Sequence, residues 1–159
     1  MKKRVLLVFG IALLILSCNQ TPETANSTLH QLEMDATTSD SLRDGIFIHI
    51  TEGYNDPHRV LMPLKMAGIM AQDKDVLVYL DIHAVELVLK TSKDLEFADF
   101  EPMKKMLQDL IGKKVGIYAC PTCLKIAGHT PEELMDGIQV ANKDRFFDFT
   151  GGRIITLDY

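Results

Sequence analysis

The sequence predicts an α/β fold, a three-layer sandwich built on a mainly parallel sheet of about five strands. Two observations carry this. Short apolar runs rich in β-branched residues alternate with segments whose apolar residues recur at helical spacing, the order of consecutive βαβ units. The strand-like runs lack period-two alternation, as burial on both faces requires. The part of the chain that shows this pattern, residues 45–159, suits one domain with that many strands and their helices.

Ile46-Phe47-Ile48-His49-Ile50 reads as the first strand and residues 51–56 as a loop. Pro57 suits the first position of a helix capped by Asp56 or Asn55. Val60, Leu61, Leu64, Ala67 and Gly68 keep helical spacing to about Gln72. Residues 76–80 form the second strand and residues 85–90 a short helix. Pro102 opens another helix, apolar at Met103, Met106, Leu107, Leu110 and Ile111, which ends at Gly112. Residues 115–119 form the third strand, which runs straight into Cys120-Pro121-Thr122-Cys123 and a helix that stops near Gly128. Residues 138–140 supply a fourth strand, residues 144–149 a short helix and residues 153–157 the last strand. Ligands of parallel sheets gather beyond the carboxyl ends of the strands. Residues 51–58, 81–83 and 120–123 all fall at that edge.

Apolar residues make up 47% and charged residues 25% of the 159, the balance of a globular chain rather than a disordered one. Lys and Arg number 17 against 22 Asp and Glu, a net charge of -5. With no basic block in the body, nucleic acid is not an expected partner.

The amino terminus has the layout of a secretory signal peptide over residues 1–17. Lys2, Lys3 and Arg4 are followed by an apolar run from residue 5 to residue 16, then Ser17 and Cys18. That run is too short to cross a hydrocarbon core that takes about 20 apolar residues. Ile15-Leu16-Ser17-Cys18 resembles the lipobox of bacterial lipoproteins, which implies a diacylated Cys18 as the mature amino terminus. The expected location is the bacterial cell envelope, lipid-anchored and facing the periplasm. Asn19, standing where Asp would signal inner-membrane retention, slightly favours the outer membrane. Cleavage would remove three cations, so membrane attachment would rest on the acyl chains of Cys18 and not on surface charge. The rest of residues 18–44 is rich in Thr, Ser, Asn and Asp and reads as a tether.

In an exported protein, two cysteines three apart are a disulfide, a redox pair or metal ligands. Cys120 ends a strand and Pro121 opens a helix. The free amide groups and the positive dipole end there favour an anion, so the Cys120 thiol should ionise more readily than an ordinary one. Cys123, in the first turn, is within reach to form or resolve a bond with it. A static CxxC disulfide closes too small a loop to constrain the unfolded chain much. Thioredoxin-type disulfide exchange ranks second, because the pair follows the third strand of an already alternating chain.

The stretch CPTCLKIAGHTPEEL from Cys120 to Leu134 resembles the DsrE/DsrF/TusD-like family. GIFIHITEG from Gly45 to Gly53, with DPHR from Asp56 to Arg59, resembles the first strand and helix of that family. The resemblance spans roughly residues 45–159 and differs at Ala127, where the family pattern carries Arg. It implies flavodoxin-like layering, assembly as a homotrimer or homohexamer, and sulfur transfer through a persulfide on the strand-end cysteine, Cys120. Cys123 matches a second cysteine found in part of the family. The implied partner is a protein that donates or accepts sulfur or thiol equivalents.

His58, in the first turn of a helix at the active edge, could hydrogen-bond a thiolate or move a proton, and Thr51 stands at the same edge. Both are candidate supporting groups. His49 reads as a strand histidine at a core or subunit contact, His83 as a strand-end residue and His129 as a surface loop residue. The cysteines with His58, His83 or His129 offer soft-metal ligands, but no second CxxC or HxxxH completes a four-ligand site. A metal- or small-ligand-binding module on the same cysteines is therefore the alternative reading, and no cofactor is expected. Met62, Met66 and Met70 read as a packing stripe, and Glu132-Glu133 as a helix-start pair behind a Thr130 cap.

Overall fold

The computed structural model describes residues 42–146 and 148–159. Residues 1–41, which hold the expected signal peptide, Cys18 and most of the expected tether, lie outside the described residues. The five strands are β1 (Gly45–Ile50), β2 (Asp75–Leu80), β3 (Gly116–Ala119), β4 (Gln139–Val140) and β5 (Ile154–Asp158). The helices are α1 (Pro57–Met70), α2 (Met103–Gly112), α3 (Pro121–Ile126) and the single turn α4 (Lys143–Phe146). The sheet runs β4-β3-β2-β1-β5 with every pairing parallel. The chain thus steps outward from β1 to β4 and returns to add β5 beside β1.

Ile46, Ile48 and Ile50 of β1, Val76, Val78 and Leu80 of β2, and Ile117 and Ala119 of β3 are buried on one face. Against them lie Val60, Leu61, Leu64 and Ala67 of α1 and Met103, Leu107 and Leu110 of α2. Each Val, Leu, Ile and Met among these contributes about 1.5–3 kcal/mol on burial. The caps follow the expected physics. Asp56 accepts from Arg59 N at 3.2 Å to open α1. At α2, Pro102 has no side-chain oxygen to offer, and Asp94 Oδ1 accepts from Lys104 N at 2.9 Å instead.

The opposite face is thinner than an even three-layer arrangement. Phe47 and Tyr79 on that face are half-buried, and Phe146 of α4 packs edge-on against both, with ring centroids 5.3 and 4.9 Å away. Burial along β1 consequently alternates, although its residue types do not.

Two helix expectations are corrected. Residues 85–90 do not form an α-helix: Ala84–Val88 is a 3-10 helix, and Leu89 turns extended to bridge Leu134. Val85, Leu87 and Val88 are all buried, so core packing sets this segment's path. The helix over 144–149 is the one turn Lys143–Phe146. Met62, Met66 and Met70 are half-buried, in keeping with a packing stripe.

Candidate functional site: a thiol pair at the carboxyl edge of the sheet

β3 ends between β2 and β4, and Cys120 N donates to Leu80 O at 2.9 Å, carrying the ladder one residue further. Cys120 keeps an extended backbone and serves as the N-cap of α3, with Pro121 at the position where a missing N–H costs nothing. A capping residue normally offers a side-chain oxygen to the free amides of the first turn. Here the cap is sulfur: Cys123 N donates to Cys120 Sγ at 3.4 Å. Both thiols are free and half-buried.

The surroundings treat the two sulfurs differently. Burial pushes the Cys120 thiol up, but the Tyr79 hydroxyl, the Cys123 amide and thiol and the Thr122 amide all favour its anion, and the net direction is down. Burial and the neighbouring Cys120 push Cys123 up, with the Asp81 carboxylate adding in the same direction and a backbone bond from Ile82 opposing. Tyr79 is also raised, by burial first and then by its bond to Cys120, so it stays a donor. Cys120 is therefore the natural nucleophile and Cys123 the partner that keeps its proton.

The sulfurs also open to separate cavities. Cys120 lines one of about 340 Å³ with Tyr79, Thr122, Asn142, Lys143 and Phe146. Cys123 lines another of about 300 Å³ with Ile82, His83, Glu86, Ile126 and Ala127. Ile82 adopts φ 48°, which a β-branched residue rarely does, with its side chain 54% exposed. The turn that holds it is pinned by Asp81 N to Ile50 O and His83 N to Thr51 O, each at 3.1 Å.

The supporting residues expected from sequence are distributed differently. Thr51 lies at the same edge but toward β5, where its hydroxyl donates to Tyr159 O at 3.2 Å. His58 is exposed, its ring stacked on Phe97 and tilted against Phe100 at 5.5 and 5.6 Å. Among the described residues, no contact joins His58 or Thr51 to either cysteine. The first-turn position that made His58 a candidate at this edge also places its ring against the two phenylalanines. His83 does line the Cys123 cavity. His129 pairs with Glu133 at 3.3 Å, and Glu133 also accepts from Thr130 N, so this segment is a capping arrangement.

Residues assigned no part in the chemistry of the thiols by their sequence context stand behind Cys120. The Tyr79 hydroxyl favours its anion. His49, opposite Tyr79 in the β1–β2 register, stacks on that ring at 5.5 Å. His49 also sits between two carboxylates, with Nδ1 3.0 Å from Asp158 and Nε2 3.0 Å from Asp81. His49 Nε2 and the other Asp81 oxygen, Oδ1, are buried without a hydrogen-bond partner. A lone polar tyrosine in the apolar run VLVYLD was the available signal; the register that brings it beside Cys120 was not. No group of three or more His, Cys, Asp or Glu able to hold a metal occurs among the described residues.

Residues 44–154 match the model of the DsrE/DsrF-like family, and the chain belongs to that family. Two solved structures share its fold. The ychN protein from E. coli has a TM-score of 0.58 at 19% identity, over 72% of this chain and 99% of that one. The protein of unknown function MTH1491 from Methanobacterium thermoautotrophicum has a TM-score of 0.51 at 20% identity, over 71% and 98%. No curated protein matches the sequence. Family membership supports a sulfur-relay or related thiol function at the level of the family.

Proposed function

We propose that the chain is an envelope-anchored thiol protein that carries sulfur as a persulfide on Cys120, with Cys123 as the resolving thiol. The observation that supports this most is the asymmetry of the pair. One sulfur accepts from a tyrosine hydroxyl and a helix-start amide at the mouth of a cavity, and the other is held toward its thiol form three residues away. In the loading step the Cys120 thiolate attacks the outer sulfur of a donor persulfide. The new S–S bond forms at Cys120 as the donor's S–S bond breaks, and the donor leaves as its thiolate. In the delivery step an acceptor thiolate takes the outer sulfur and Cys120 leaves as the thiolate. Without an acceptor, Cys123 loses its proton and attacks the Cys120 sulfur, giving the Cys120–Cys123 disulfide and releasing hydrosulfide.

The remaining parts of the reading concern setting. Acyl chains on Cys18 hold the chain to the membrane, facing the periplasm, and a sulfur- or thiol-handling protein is its partner. Among the described residues no helix is long and apolar enough to cross a membrane. Homotrimer or homohexamer assembly is consistent with Ile154 and Ile155, half-exposed apolar residues on the edge strand β5 that a second copy would cover.

The test is mass spectrometry after exposure to a small-molecule persulfide donor. One added sulfur atom is expected on Cys120 in Cys123→Ser and none in Cys120→Ser, while the wild type, with no acceptor present, is expected to pass on to the Cys120–Cys123 disulfide and release hydrosulfide. Loading that persists without Cys120 contradicts the proposal. Native mass spectrometry of the full chain in detergent reads the subunit count.

A further inference from the structure

We infer that Tyr79 is the positioning residue that keeps Cys120, rather than Cys123, the anionic member of the pair, and that His49 locks Tyr79 in place. The inference rests on the thiol reading above and deepens it, but its test does not require sulfur transfer.

The geometry is a stack of fixed groups. Tyr79 stands on β2 opposite His49 of β1 and Tyr118 of β3. Tyr79 and Cys120 line the same cavity, and the tyrosine hydroxyl favours the Cys120 anion there. The ring cannot easily swing away, because Phe146 meets it edge-on at 4.9 Å and the His49 imidazole stacks on it at 5.5 Å. His49 is held in turn by Asp158 and Asp81, each at 3.0 Å. A donor whose direction is set before the charge appears loses little on reorganisation. The phenol gives a hydrogen bond and keeps its proton, so it favours the anion at every pH where Cys120 ionises.

The other groups around the pair divide along the same line. Lys143 of α4 and the Thr122 and Cys123 amides of α3 border Cys120. Asp81 acts on Cys123 in the direction of the thiol, and His83 and Glu86 border that sulfur's cavity. The helix start already favours Cys120, the cap whose sulfur accepts from the Cys123 amide, and the tyrosine on a neighbouring strand adds to the same direction.

The test uses the full chain in detergent with Cys18 and Cys123 changed to Ser, so that only Cys120 titrates. Thiolate absorbance and iodoacetamide reaction are followed against pH. Adding Tyr79→Phe is expected to raise the midpoint by about one unit and to slow alkylation at neutral pH about tenfold. Tyr118→Phe, which removes a hydroxyl from the next strand, should leave both unchanged. A folded Tyr79→Phe, judged by circular dichroism, whose midpoint does not move overturns the inference. Should that variant not fold, 3-fluorotyrosine labelling reads the intact fold: one of the four tyrosine fluorine resonances should follow the Cys120 midpoint and lose that step in Cys120→Ser. If no resonance follows it, the inference also falls. A shifted midpoint with no persulfide loading would leave Tyr79's role standing and remove the sulfur-carrier reading instead.

Discussion

Cys120 and Cys123 share one helical turn, and their surroundings differ in almost every respect that matters to a thiol. Cys120 ends a strand, caps a helix, accepts from a tyrosine and opens to a cavity containing Lys143 and Asn142. Cys123 points to the other side, toward Ile82, Ile126 and Ala127, with a carboxylate working against its ionisation. The spacing of the two cysteines states that they can meet. It does not state which is the nucleophile, and that assignment comes from β2 and the turn that follows it.

The largest break in this comparison is Cys120→Ser, which should reduce persulfide loading to background while Cys123→Ser keeps it. Serine is a better N-cap than sulfur, so the loading defect should come without unfolding, at a stability change under ~1 kcal/mol. Thermal denaturation beside the mass measurement separates the two effects.

Asp81→Asn sharpens the other half. Removing that carboxylate takes away a cause that raises Cys123, so its thiolate should form at lower pH. Alkylation of Cys123 near neutrality should then quicken about two- to threefold, with a smaller change at Cys120. Equal shifts at both sulfurs would mean that Asp81 does not discriminate between them.

The fold was largely legible in the sequence, and the site only in part. β-branched runs between helical spacings gave the five-stranded parallel sheet because burial demands those residue types. Asp56-Pro57 marked the start of α1 and Pro121 that of α3, since caps and proline act locally. Residues 84–88 escaped because a five-residue segment with four apolar positions is compatible with either helix type, and packing decides. Cys120 and Cys123 were visible because their chemistry lies in the residue type. Tyr79, His49 and Asp81 were not, because their importance arises from parallel register across three strands. His58 illustrates the converse, a residue of the right chemistry at the right edge whose ring is used to cover Phe97 and Phe100.

Two smaller effects complete the comparison. Ile82→Gly removes a β-branched side chain from left-handed backbone at φ 48°, and the relief should offset the lost packing to within ~1 kcal/mol in chemical denaturation. A clear loss above that would show the Ile82 side chain to be packed rather than strained. His58→Ala should change the reactivity of both cysteines less than about twofold; a larger drop would restore it as a supporting group.

The central claim is the division of labour between two sulfurs three residues apart. Its most direct measurement is the pH titration of each thiol alone, in full-length Cys18→Ser chains carrying Cys123→Ser or Cys120→Ser. The account predicts that Cys120 ionises below the ordinary thiol range of about 8.5 and Cys123 above it. Coincident curves, or Cys123 ionising first, would contradict it.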